Sequence, residues 1–375
     1  MKLEPWEREP FWLKLITPYL KKRRFPYLPE QPEQGKWYRI HGDDCMAANG
    51  DQTYADFQLG CENKLLIFFC GGGVSWNEYT AARTSSFYQP DMKNGYYSIQ
   101  VDLFTDLIRS QGIFEDSERN PFRNWAKLVV TYDTGDFHCG AGDFPYTAAD
   151  GSKRLCHHHG YKNYRKFMET VTRFVSAPEM LVVSGCSGGG FGAALLADDV
   201  MNIYPECENV TCLVDSAFFP LDDWHSVAKN VWHAPKEIVE RIHTDNITLD
   251  VLQALYRERG KKVKILLTSS IKDAGLSRMV NLIKNGSFTF SRQSGEQFKA
   301  WLKEMMAQVQ ETLPDAGMYI FNIPDKGQKK TDLTIHCIIG EKLVFEHRVG
   351  GKTCAEWIDE AINGNVRSYG SELLD

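Results

Sequence analysis

One segment limits the folds open to this 375-residue chain more than any other. From Met180 an apolar run passes through Gly185-Cys186-Ser187-Gly188-Gly189 and straight into the helix-forming stretch Ala193-Ala194-Leu195-Leu196-Ala197. A serine between a buried strand and a helix has to sit on strained backbone. Glycines two residues to either side let strand and helix approach while the hydroxyl stands clear at the sheet edge. Such a serine is a candidate nucleophile, and the N–H of Gly188, at the helix start, is a candidate donor to an oxyanion. A phosphate-binding loop would end in Lys-Ser or Lys-Thr, which this segment lacks. A glycine turn that carries a serine by accident is the remaining alternative.

The rest of the chain supplies the sheet that such a turn requires. Runs rich in Val, Ile and Leu recur at Lys64–Phe69, Lys127–Tyr132, Leu181–Ser184, Thr211–Val214, Val263–Thr268, Met318–Ile323 and Leu333–Ile335. Helical patterns fall between or after them at Tyr161–Val175, Gly189–Ile203, Lys236–His243, Gln297–Leu313 and Cys354–Ile362. Alternation of this kind predicts an α/β fold with a doubly wound, mostly parallel sheet. Residues 61–375 are read as one catalytic domain preceded by an N-terminal extension, 1–60, that packs on it. Long insertions near 75–126, 133–161 and 216–262 carry much of the Trp, Tyr and His content and are read as pocket or lid.

In an open α/β sheet, ligands bind beyond the carboxyl ends of the strands, so residues just after each apolar run carry the chemistry. After Phe69 come Gly71-Gly72-Gly73-Val74, and the N–H groups of Gly73 and Val74 are candidate oxyanion donors, each worth roughly 3 kcal/mol of barrier lowering. A nucleophilic serine needs a base and an orienting carboxylate, which in such folds follow in the order Ser, Asp or Glu, His. Asp273 and His336 fit that order. Asp215, which ends the strand directly after the Ser187 helix, is the rival acid or a pocket residue, and His347 is the rival base. Trp76 and His158 are further pocket candidates.

Six segments, in order, resemble pectin acetylesterases and the related Notum carboxylesterases. They are the glycine triplet with Trp76-Asn77, Asn120-Pro121-Phe122-Arg123-Asn124-Trp125, Tyr132-Asp133-Thr134-Gly135-Asp136-Phe137, the Gly-Cys-Ser-Gly-Gly turn, Asp215-Ser216-Ala217-Phe218-Phe219 and Ile335-His336-Cys337. The resemblance runs from about Lys64 to Trp357. It implies an α/β-hydrolase fold and hydrolysis of O-acyl esters by Ser187, Asp273 and His336, with Gly73, Val74 and Gly188 as oxyanion donors. The chain departs from the family in placing Val74 directly after the glycines, where members carry an aromatic residue.

Composition narrows the partners. With 43 basic and 49 acidic residues and no basic run, the chain lacks the positive stripe that a nucleic acid needs. No apolar run approaches the roughly 20 residues of a membrane span. The N-terminus shows no secretory signal, which predicts a cytoplasmic protein whose ten cysteines are free thiols rather than disulfides. Adjacent side chains on a strand or helix diverge, so the His157-His158-His159 triplet predicts no shared metal, and Asp102 and Asp106 are read as a solvated helix face. The expected activity is therefore a cofactor-free, metal-independent hydrolysis of a small-molecule or carbohydrate acyl ester through an acyl-enzyme. The reading from another class is a carbohydrate-binding or scaffold protein that kept the fold.

Overall fold

The computed structural model describes residues 15, 24–85, 95–99, 109–148 and 151–375. Asp102 and Asp106 lie outside these residues. Eight strands form one sheet: β1 (Trp37–Ile40), β2 (Ala55–Gln58), β3 (Lys64–Phe69), β4 (Ala126–Val130), β5 (Met180–Cys186), β6 (Val210–Asp215), β7 (Val263–Ser270) and β8 (Gly317–Phe321). Their spatial order is β1-β2-β4-β3-β5-β6-β7-β8. Strand β2 runs antiparallel to both of its neighbours, and the pairs from β4 through β3 to β8 are all parallel.

Alternation of side chains along each strand feeds two cores. Leu65, Ile67 and Phe69 of β3 join one cluster with Val183, Val214 and Leu267, whereas Leu66 and Phe68 join the other with Val182, Leu213 and Leu266. Every residue of β6 and β8 is buried, because a parallel sheet has helices on both faces and its strands read as continuous apolar runs. Among the described residues, the helices of eight residues or more are α1 (Gly160–Val171), α2 (Gly188–Ile203), α3 (Ile247–Arg259), α4 (Ala274–Asn285), α5 (Arg292–Thr312) and α6 (Cys354–Ile362).

Several elements differ from the sequence reading. Strands β1 and β2 fall before residue 60 and belong to the main sheet; as four-residue strands, Trp-Tyr-Arg-Ile at the edge and Ala-Asp-Phe-Gln beside it, they carry too little apolar pattern to stand out. Leu333–Ile335 is not a strand. Thr334 forms single bridges with Asp273 on one side and Pro324 on the other, and a proline, having no N–H, cannot extend a ladder. Helices α3 and α4 were not anticipated.

The insertions pack on α2 and on the loop after β3. Phe137 stacks on Phe191 of α2 with ring centroids 4.1 Å apart, the buried Trp224 closes over both, and the buried Trp232 closes over Phe137. Trp232 Nε1 donates to Ser75 O at 2.6 Å, which ties the segment after β6 to the glycine loop after β3. No helix among the described residues is long and apolar enough to cross a membrane.

Candidate active site

Ser187 caps α2 at φ 55° and ψ −128°, a conformation that side chains other than glycine rarely adopt and that persists only where the surroundings enforce it. Here they do. Ser187 N–H donates to Asp215 O at 2.9 Å, and strand and helix meet so closely that a Cβ on Gly185 would overlap Gly189 O, while one on Gly189 would overlap Phe69 O. The glycines flanking the serine are therefore required by contact as well as by conformation. The Ser187 side chain remains partly exposed at the carboxyl end of the sheet.

Asp273 and His336 are brought together by the Thr334 bridge. Thr334 N–H donates to Lys272 O at 3.0 Å and Ala274 N–H donates to Thr334 O at 2.9 Å. With that register fixed, His336 lands on Asp273. Its Nδ1 lies 2.7 and 2.8 Å from the two carboxylate oxygens, and Asp273 is fully buried. The same carboxylate caps α4 by accepting from Leu276 N–H at 2.9 Å, where the positive end of the helix favours its charge. Burial works against a charged imidazole, but the charge of Asp273 and its hydrogen bonds outweigh that cost and hold the His336 pKa up at about 9. Among the described residues, the hydrogen bonds of His336 go to Asp273 and none joins it to Ser187 Oγ.

Asp215, the rival acid in the sequence, has a different partner set. One carboxylate oxygen accepts from the N–H groups of Ile338 and Ile339 at 2.8 and 3.0 Å, and the other accepts from Ser216 Oγ at 2.9 Å. Ser216 Oγ in turn accepts from Cys337 N–H at 3.2 Å. Asp215 thus holds the Ser187 turn through its main chain and the His336 loop through its side chain. Burial pushes its carboxyl up to about 6 against the pull of the two N–H donors. Ser216 and Cys337 stand at φ 53° and 66°, so left-handed residues accompany both ends of this tie. Burial and the neighbouring Cys186 thiol push the Cys337 thiol well above its usual value, placing the residue before Ser187 beside the residue after His336.

The glycine loop requires a correction. Val74 N–H is committed to Tyr96 O at 2.8 Å, and Ser98 N–H donates to Gly72 O at 2.7 Å. Gly73 is the middle residue of that pairing with Tyr97, the position at which an antiparallel pair leaves the N–H unused. Val74 is therefore removed from the donor set, whereas this pairing leaves the Gly73 N–H uncommitted, and Gly188 stands at the first position of α2, whose N–H has no partner within the helix. Two residues that sequence reasoning passed over shape this loop. Tyr132 Oη donates to Gly73 O at 2.9 Å and accepts from Phe137 N–H at 3.0 Å. His138 Nε2 bonds Cys70 O at 2.8 Å, with burial lowering its pKa to about 4. Tyr132 does end a predicted strand and opens one of the segments that resemble the family, the two signals that pointed to it.

The remaining candidates sit elsewhere. His158 is fully buried, its Nδ1 on Thr134 O at 2.8 Å. It therefore offers no surface to a pocket, and the alternation of the strand turns it inward while His157 and His159 face the other way. Trp76 is half-buried and meets the Tyr96 ring edge-on at 5.7 Å. His347 lies in a loop where its carbonyl accepts from Tyr319 Oη at 3.2 Å, and the carboxylate of Asp273 goes to His336 instead. All ten cysteines are free.

The fold has a solved counterpart. The Wnt deacylase Notum from Drosophila superimposes with a TM-score of 0.55 at 14% identity, over 87% of this chain and 92% of that one, so the two share the α/β-hydrolase architecture. The family profile for pectinacetylesterase matches residues 56–256, a span from β2 through the Ser187 turn to α3. The chain belongs to the pectinacetylesterase family.

Proposed function

We propose that this protein hydrolyses O-acyl esters with Ser187 as nucleophile, His336 as base and Asp273 as the carboxylate that orients it. The observation that carries the proposal is the pair of short bonds from His336 Nδ1 to a buried carboxylate, which leaves Nε2 as the ring nitrogen free to take a proton. Nδ1–H facing Asp273 fixes that tautomer, and the carboxylate stabilises the imidazolium that forms when Ser187 gives up its proton. The acyl carbonyl becomes tetrahedral with its oxygen held by the N–H groups of Gly73 and Gly188. Collapse releases the alcohol, protonated by His336, and water then repeats the sequence on the acyl-enzyme. Serine–histidine bonds of this kind often tighten only with substrate in place, which accommodates their absence here. In this scheme Asp215 anchors the His336 loop through Ile338 and Ile339, and Trp76, beside the glycine loop in sequence, is assigned to the wall of the acyl or alcohol pocket.

The substrate class follows from the family: a small-molecule or carbohydrate acyl ester. Initial rates on p-nitrophenyl esters of rising chain length, then on acetylated sugars, test the activity. The expected result is turnover that declines steeply in Ser187→Ala. Flat inactivity of the wild type across both panels would leave a binding protein on a hydrolase fold.

A further inference from the structure

The hairpin of Gly142–Thr147 and Lys153–His158 carries a side-chain cluster that the proposed ester chemistry does not use. His157 Nδ1 and His159 Nε2 both bond Asp143 Oδ1, at 2.7 and 2.8 Å. No two of the three donor atoms are more than 4.8 Å apart. We propose that Asp143, His157 and His159 bind one divalent first-row transition cation, with zinc as the ion best matched to two imidazoles and a carboxylate.

The argument starts from the strand. Residues two apart share a face, so His157 and His159 converge although His158 between them turns into the core. Asp143 opposes His157 in the register of the hairpin, which puts a carboxylate between the two rings. The rings stand 5.5 Å apart at 71°, an arrangement that aims two nitrogens at one point rather than stacking them. The ligands are also anchored. His157 N–H is tied to Ala48 O at 2.9 Å and Gly50 lies against its ring, while His159 caps α1.

Metal–ligand distances of about 2.0–2.2 Å for His and Asp place tetrahedral ligand atoms roughly 3.3 Å apart. The bonds to Asp143 have to lengthen by about half an ångström to admit an ion at that distance, which side-chain rotation supplies. Two features oppose binding. Lys162 Nζ lies 3.5 Å from His159 Nε2 and has to swing into solvent, which its exposed position allows. The positive end of α1 also disfavours a cation, so affinity rests on the three direct bonds. The donor set leaves a fourth position open to water or an external ligand.

The test uses untagged full-length protein in a Cys61→Ser background, because Cys61 is an exposed free thiol and zinc binds thiolates. Chelator-stripped protein is titrated with zinc chloride by calorimetry, and bound metal is counted after dialysis. The expected result is one zinc per chain, lost in His157→Gln/His159→Gln and weakened at least about tenfold in Asp143→Asn, while His225→Ala binds as the parent does. Cobalt loading gives an independent readout, since a tetrahedral site with imidazole ligands develops visible absorption bands that the double variant lacks. Circular dichroism establishes that each variant is folded. Failure of the parent to take up zinc, or equal uptake by the folded double variant, overturns the proposal and leaves the cluster as a hydrogen-bonded clip of the hairpin. Esterase activity of the stripped protein is expected to persist, so the fate of this site and that of the serine mechanism are read separately.

Discussion

Asp273→Asn separates the two things that a carboxylate does for His336, which are to set its charge and to set its tautomer. The His336 pKa of about 9 lies some 2.5 units above the ordinary value of about 6.5, which corresponds to roughly 3 kcal/mol of preference for the imidazolium. At pH 7 only about one molecule in a hundred then carries the neutral base, so kcat/KM should climb roughly tenfold per pH unit from 7 and level off near 9. Asparagine retains an oxygen to accept from Leu276 N–H, the cap that Asp273 now provides at 2.9 Å, so α4 has no reason to unwind. Its amide facing Nδ1 favours the tautomer with the proton on Nε2, which cannot receive the Ser187 proton, and the cost of that error is about 10⁴ in kcat.

Stability moves with the same group. A histidine whose folded pKa is raised contributes stability that is fully present below about pH 6.5 and is lost as pH rises through about 9. The wild type should therefore melt above Asp273→Asn at pH 6, with the gap closing towards pH 9 and beyond. Initial rates on p-nitrophenyl acetate and thermal melts, each taken across roughly pH 5 to 10 to bracket both histidine values, read the two effects on one pair of proteins. An acid limb that stays in place when Asp273 is replaced, or an Asp273→Asn enzyme within tenfold of wild type at pH 9, would refute the assignment of Asp273 to His336.

Three further outcomes follow from the geometry. Ser187→Ala should fold normally and lose on the order of 10⁴ or more in kcat, and a fluorophosphonate should label the wild type at Ser187 alone. Asp215→Asn should lower kcat far less than Asp273→Asn, yet destabilise the protein by about 1–3 kcal/mol in urea melts, because an amide that keeps one oxygen on the Ile338 and Ile339 N–H groups puts its NH2 where the other oxygen accepts from Ser216 Oγ; the opposite ranking in kcat would transfer the orienting role to Asp215. Tyr132→Phe removes the hydroxyl that donates to Gly73 O, and about tenfold in kcat at unchanged KM is expected, equivalent to one hydrogen bond of about 1.4 kcal/mol; a change in KM alone would dissociate Tyr132 from the oxyanion loop.

The contrast between what was legible in the sequence and what was not lies in where the determining contacts run. The Ser187 turn could be read because its constraints are local. Gly185 and Gly189 contact strand and helix within a few residues or across one strand pair, and an apolar run followed by Gly-x-Ser-x-Gly and alanines leaves few other geometries. Strands β3, β5, β6, β7 and β8 could be read because both of their faces are buried, which concentrates Val, Ile and Leu. Strands β1 and β2 could not, since each is only four residues long and carries a charged residue, Arg39 or Asp56, among its apolar neighbours, the buried Asp56 being paired with Arg109.

Long-range bonds explain the rest. Val74 had the right position in sequence, but its N–H was claimed by Tyr96 O, a bond that only the packing of the following segment decides. The pairing of Asp273 with His336 rests on Thr334 bridging beside Asp273, sixty-one residues away in sequence, so the order of acid and base was available whereas their register was not. Asp215 shows why strand-end position alone is ambiguous. Both aspartates follow parallel strands and both are fully buried, but one faces an imidazole and the other faces two backbone N–H groups. A carboxylate that accepts main-chain donors fixes a loop, and a carboxylate that accepts an imidazole fixes a proton. These two aspartates divide those tasks, with Asp215 holding the loop on which His336 is carried and Asp273 holding the ring.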